Sequence, residues 1–113
     1  MIRYLLSLLG YRRDYGLAAA GPGRARAPGW EALSRQLRSE RPECECCGLP
    51  TTVIHHVLPF HVHPSLELDK TNLIALCNEC HLRIGHGGSF RAWLPDCRRL
   101  AATIRAAIAA RSE

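Results

Sequence analysis

The chain has no apolar run long enough to cross a bilayer. Its best candidate, Tyr4-Leu5-Leu6-Ser7-Leu8-Leu9, is soon interrupted by Arg12-Arg13-Asp14, and it is short even for the apolar stretch of a secretory leader. No membrane association is expected, and a cytoplasmic location is. Lysine is nearly missing, with Lys70 alone against 14 Arg. Arginine suits phosphate contacts, but a genomic base-composition bias produces the same excess, so little rests on it. No internal repeat is evident beyond a duplicated Cys-x-x-Cys. Without a leader, six cysteines in 113 residues read as thiols of a reducing compartment rather than as disulfides.

What is present is concentrated. All six cysteines and all six histidines lie between Cys44 and Cys97. Eight of them form one ordered series: Cys44-Glu45-Cys46-Cys47-Gly48, then His55-His56, then Cys77-Asn78-Glu79-Cys80-His81. A chain of this length makes one small domain with a modest core and often needs a staple. A structural metal is the natural candidate.

Charge is uneven. Residues 1–43 carry eight Arg against four acids, a net of +4; residues 44–90 carry two basic groups against four acids, −2; residues 91–113 carry five Arg against two acids, +3. A mildly acidic ligand region between basic flanks suits a polyanionic partner.

Residues 1–15 could form a short amphipathic helix through Tyr4, Leu5, Leu8 and Leu9. Residues 18–29 have the Gly, Pro and small-residue composition of a mobile or extended linker. We therefore divide the chain into an extension and linker, 1–29, and a domain, 30–113. Trp30, Leu33 and Leu37 fall at i, i+3 and i+7, which predicts a helix from Trp30 to Arg41 ended by Pro42. Thr51–Leu58 reads as a strand carrying His55 and His56, Pro59–Thr71 as a loop, and Asn72–Leu76 as a short apolar strand. A helix follows from near Cys77 and breaks at Gly85 or by Gly87-Gly88. The last helix runs from about Pro95 to about Arg111, with Leu100, Ile104, Ala107 and Ile108 as its apolar face. The class is α+β.

Two Cys-x-x-Cys knuckles supply four thiolates, the set a tetrahedral zinc prefers. Cys44 and Cys47 have the right gap and are followed by Gly48, so Cys46 is expected to be a spare neighbour. Cys77 and Cys80 form the second knuckle, and Cys97 is expected as a core thiol. The knuckles are 29 residues apart, Gly48 to Leu76, more than the 15–20 of many zinc ribbons. Something sizeable is inserted between them.

That insert, Ile54-His55-His56-Val57-Leu58-Pro59 and then Asn72-Leu73-Ile74-Ala75-Leu76-Cys77-Asn78-Glu79-Cys80-His81, resembles the HNH endonuclease family over about residues 43–86. The resemblance implies a small ββα-metal core with a two-knuckle zinc site, flanked by helices. It implies that His56 is the general base that activates water, and that His55 is a ligand of a catalytic divalent cation. Neighbouring strand residues point to opposite faces, which lets this pair divide two roles. Asn72 matches the family Asn that holds the base by a hydrogen bond. His81 matches the helix histidine that completes the metal site. Some members add a histidine four residues later; here His86 comes after five, with Gly85 between, and is either a further ligand or a helix-cap or phosphate-contacting residue. His61 and His63 are read as solvated or locally bonded imidazoles, with phosphate contact as the alternative.

The implied cation is Mg²⁺ or Mn²⁺, with Ni²⁺ or Zn²⁺ also acceptable to imidazoles, distinct from a four-thiolate Zn²⁺. The implied reaction is hydrolysis of DNA phosphodiesters, on double-stranded DNA with low sequence specificity, since no recognition-helix module is visible. Arg35, Arg38 and Arg41, with Arg91, Arg98, Arg99, Arg105 and Arg111, are the candidates for phosphate contact. A protein partner or homodimer is possible through Tyr4–Leu9. The rival readings are a non-catalytic zinc-finger module binding nucleic acid and a phage or assembly-associated module using the same fold.

Overall fold

The computed structural model describes residues 26–111. The expected helix over 1–15 and most of the expected linker lie outside them. The order is helix α1 (Trp30–Glu40), strand β1 (Val53–His56), strand β2 (Leu73–Leu76), a short helix α2 (Asn78–Cys80) continuing as a π-helical turn (His81–Gly85), and helix α3 (Cys97–Arg111). This is the expected α+β arrangement of a two-stranded sheet and a short helix between flanking helices.

Helix α1 forms where the apolar spacing placed it. It buries Trp30, Ser34 and Leu37, and Arg41 closes it by donating its N–H to the Leu37 carbonyl just before Pro42. The strands pair antiparallel, with Val53 opposite Leu76, Ile54 opposite Ala75, His55 opposite Ile74 and His56 opposite Leu73. A lone two-stranded sheet is marginal in water, and this one is covered on both faces. Leu73 and Ala75 pack with Trp30, Leu37 and Ile54 on the α1 side. Ile74 and Leu76 pack with Ile84, Leu94, Leu100 and Ile104 on the other. Alternation along β2 therefore feeds two cores.

Helix α3 begins at Cys97, two residues after the expected Pro95, and its buried face is Cys97, Leu100, Ala101 and Ile104. Ala107 and Ile108, expected on that face, are only half-buried, with Ile108 packed against the margin of the core. Each fully buried Leu or Ile here contributes about 1.5–3 kcal/mol relative to exposure. Cys97 lies in this core, as expected, and burial pushes its thiol up to about 12.

The outer edge of β2 is capped by side chains, which blunts an otherwise unpaired strand edge. The Ala75 N–H donates to the Glu45 carboxylate (2.6 Å), and Arg41 and Arg98 donate to the Leu73 carbonyl (3.0 and 2.9 Å). Arg105 donates to the Cys44 carbonyl (3.1 Å), Arg38 to Ser34 (2.6 Å) and Arg99 to Asp96 (3.3 Å). Three of the candidate phosphate contacts, Arg41, Arg98 and Arg105, thus bond to carbonyls of other elements, while Arg38 and Arg99 make only local pairs. The loop after β1 contains two 3-10 turns, Pro64–Leu66 and Lys70–Asn72. Asn72 ends the second turn rather than starting β2.

Candidate metal and catalytic site

The two knuckles meet as the spacing required. Sulfurs of Cys44, Cys47, Cys77 and Cys80 all lie within 4.8 Å of one another. Gly48, at φ 82°, lets the chain turn back so that its N–H reaches the Cys44 carbonyl (3.0 Å). Backbone N–H groups of Cys46 and Cys47 point at the Cys44 sulfur (3.4 and 3.5 Å), and that of Cys80 at the Cys77 sulfur (3.5 Å). Cys44 is pulled down to about 4 by the Cys80 thiol and by those N–H groups. Cys80 is pushed up chiefly by its sulfur neighbours, and Cys47 to about 11 chiefly by burial. Four sulfurs crowded together suit a dication, which stabilises all four thiolates at once. Cys46 is fully buried in the adjoining core and stands outside this set, as expected.

The histidine pair splits across the sheet. His55 faces the π-helical turn and His56 faces α1. On the first side, the nitrogens of His55, His81 and His86 lie within 4.8 Å of one another. The five-residue gap from His81 to His86 is accommodated by the π-helical turn. Residues five apart on an α-helix diverge by about 140°, but here the His86 N–H closes onto the His81 carbonyl (3.1 Å), an i→i+5 bond that brings both rings to one side. Their Nε2 atoms are 3.0 Å apart. Gly85 passes close to the His55 ring, where a Cβ would make a tight 3.2 Å contact.

The donor set fits a cation. His55 Nε2 is buried and has no hydrogen-bond partner among the described residues, an orphan that costs free energy unless something binds it. His86 Nδ1–H donates to the Ala92 carbonyl (2.6 Å), which fixes the tautomer and turns the Nε2 lone pair toward the other two rings. All three rings are held below the usual imidazole value, His55 far below and His81 to about 4. Burial is the main cause, followed for His55 and His81 by the neighbouring imidazoles. The neutral ring is the ligating form. At 3.0 Å apart, the Nε2 atoms of His81 and His86 are close enough for both to reach one ion.

On the other side, His56 Nε2 lies 2.9 Å from the Glu67 carbonyl oxygen. A carbonyl only accepts, so Nε2 carries the proton and Nδ1 keeps its lone pair. The ring stacks on Trp30, with centroids 4.5 Å apart and planes at 28°. Arg26 lies over both Trp30 (4.9 Å) and Phe60 (4.2 Å), and the Ala27 N–H donates to the Glu67 carboxylate (2.7 Å). The last residues of the expected linker are therefore fastened beside His56. His55, His56, His81 and His86 share a cavity of about 270 Å³ whose rim includes Arg26, Phe60, Phe90 and Arg91.

Residues 44–87 match the family model of the HNH endonuclease. That segment is similar to the HNH endonuclease family. No curated protein and no solved structure matches the chain. The HNH match takes in both knuckles, the histidine pair, Asn72, His81 and His86.

Within the matched segment one sequence expectation is corrected. Asn72 does not hydrogen-bond the His56 ring. Its amide accepts from the Leu58 N–H (2.9 Å) and donates to the carbonyls of Leu58 (3.0 Å) and Leu66 (3.4 Å). It pins both ends of the loop that leads to Glu67, and the Glu67 carbonyl holds His56. Asn72→Ala is expected to leave the Leu58 backbone groups unpaired and to cost about 1–3 kcal/mol of stability. Thermal denaturation checks this, and an unchanged melt would remove the clamp. The parts that Glu67, Trp30, Arg26 and Phe60 play beside His56 were not read from the sequence. Glu67 acts partly through a backbone carbonyl, a group every residue has, so only the packing could single it out.

Among the described residues, no helix is long and apolar enough to cross a membrane.

Proposed function

We propose that this protein is a metal-dependent endonuclease that hydrolyses DNA phosphodiester bonds. The observation that carries the reading is the division of the histidine pair. One imidazole is buried with an unpartnered nitrogen among two others, and its neighbour is oriented by Glu67 with Nδ1 unprotonated. A nucleic-acid-binding zinc module gives no task to that division.

His55, His81 and His86 would hold a divalent cation, Mg²⁺ or Mn²⁺ with Ni²⁺ or Zn²⁺ as alternatives. Such an ion, when bound, supplies Lewis-acid stabilisation of the phosphate and of the leaving oxygen. His56 takes a proton from water at Nδ1 as the water attacks phosphorus. The resulting imidazolium keeps its Nε2–H bond to Glu67, so the ring does not turn as it charges. Asn72 fixes the loop behind that carbonyl and serves as a positioning residue. Arg26 and Arg91, on the cavity rim, offer cations to the strand's phosphates. Cys44, Cys47, Cys77 and Cys80 would hold a structural Zn²⁺ that joins the chain before β1 to the chain after β2.

Supercoiled plasmid and single-stranded DNA are incubated with the protein in Mg²⁺, Mn²⁺, Ni²⁺ or Zn²⁺, and at least one of the two is expected to be cut with at least one of these ions. Intact DNA of both kinds in all four ions would overturn the reading.

A further inference from the structure

Phe90 is the most exposed large apolar side chain among the described residues, at 64%. Its backbone is tied into the fold by hydrogen bonds. The Ala92 N–H donates to the Ser89 carbonyl (2.9 Å), so Phe90 and Arg91 occupy the two central positions of a tight turn. Polar and small residues usually fill such positions, so an aromatic ring there stands out. The turn is tied back at both ends. The Ser89 N–H donates to the His86 carbonyl (3.3 Å), and the Ala92 carbonyl receives His86 Nδ1–H (2.6 Å). Just before the turn, Gly87 and Gly88 adopt φ of 65° and 97°, and a Cβ on Gly87 would press on Leu94 at 3.2 Å. The backbone path to Phe90 is thus specified.

The Phe90 ring meets His86 at 5.0 Å and His81 at 5.5 Å between centroids, at 60° and 56°. It stands on the rim of the cavity that holds the histidines, beside exposed Arg91. An exposed aromatic ring next to a cation, held at the edge of a phosphate-processing cavity, matches the platforms on which single-stranded nucleic acid stacks its bases. In an intact duplex the base faces are covered by their neighbours, so such a ring has nothing to stack on.

We infer that Phe90 stacks on an unstacked nucleobase of the DNA strand in the site, so that the protein prefers strands with exposed base faces, single-stranded DNA first, over intact duplex. This rests on the proposed DNA-cleaving reading and narrows its substrate.

The test is binding, measured by fluorescence anisotropy on zinc-loaded protein without added Mg²⁺ or Mn²⁺, with the oligomers checked for integrity afterwards. Two labelled probes of equal length are used, a single-stranded oligonucleotide and an oligomer of abasic sugar phosphates. Phe90→Ala is expected to weaken binding of the base-bearing strand about tenfold and to leave the abasic oligomer unchanged, while Phe90→Trp restores the affinity. The wild type is expected to bind the single strand more tightly than its duplex. Equal losses on both probes, no loss on either, or a preference for duplex would overturn the inference. Cleavage of plasmid and of single-stranded DNA with added divalent cation is scored separately. Base-dependent loss without cleavage would sink the nuclease reading and leave the stacking site standing, and cleavage without base-dependent loss would do the reverse.

Discussion

DNA cleavage is expected to fall about 100- to 10,000-fold in His56→Ala, the range for deletion of a general base. Zinc content should not change. The expectation follows from the tautomer. The Glu67 carbonyl holds Nε2–H at 2.9 Å, so Nδ1 is the nitrogen able to accept a proton, and alanine removes it. The substitution also takes away the ring on which Trp30 stacks. His56→Phe is therefore run beside it, since phenylalanine keeps a ring under Trp30 and supplies no base. Both variants should be inactive in the plasmid assay while melting cooperatively. Wild-type cleavage by either would end the role assigned to His56.

The same ring gives the pH profile. His56 is held below the usual imidazole value, chiefly by burial, with the Glu67 carbonyl opposing and Arg26 adding to the shift. A lowered value keeps the neutral base form populated to lower pH. Cleavage limited by this base should be level above about pH 6.5 and should fall only as the pH drops below it.

Loss of one cysteine of the four-thiol set is expected to cost the fold itself. Cys44 and Cys47 precede β1, and Cys77 and Cys80 follow β2, so an ion on all four closes the chain around a sheet too small to stand alone. Structural zinc in comparably small domains is worth about 10–16 kcal/mol at neutral pH, more than the whole stability of a typical domain. Cys80→Ser should therefore bind no zinc at micromolar concentrations and lose its cooperative melt. Chelation of the wild type should do the same. Cys46→Ala, from the adjoining core, should keep one equivalent of tightly bound zinc. Full zinc binding by Cys80→Ser, or loss of it in Cys46→Ala, would reassign the ligands.

Much of this architecture was legible in the sequence because it depends on short-range geometry. A Cys-x-x-Cys gap lets two sulfurs reach one ion wherever the knuckle sits. Alternation along a strand puts His55 and His56 on opposite faces whatever covers those faces. The i, i+3, i+7 spacing of Trp30, Leu33 and Leu37 places α1 without knowledge of its partner. The bounds of α3 were legible to within two residues, but the depth of its burial was not, since Ala107 and Ile108 are only half-buried.

The tertiary structure decided what depends on distant neighbours. The gap between His81 and His86 is wrong for an α-helix, and the π-helical turn corrects it, with Gly85 passing close under a His55 ring that comes from another element. Asn72 has the residue type to hold the base, but the loop brings Leu58 and Leu66 to its amide instead. Arg41, Arg98 and Arg105 look identical to Arg91 in the sequence. Packing spends the first three on carbonyls of β2 and the first knuckle and leaves Arg91 exposed at the cavity rim. Residue type and local spacing fixed which ligands and which proton acceptor were available. Long-range contacts fixed their orientation, because a side chain's hydrogen-bond partner is set by whatever the fold brings within about 3 Å of it.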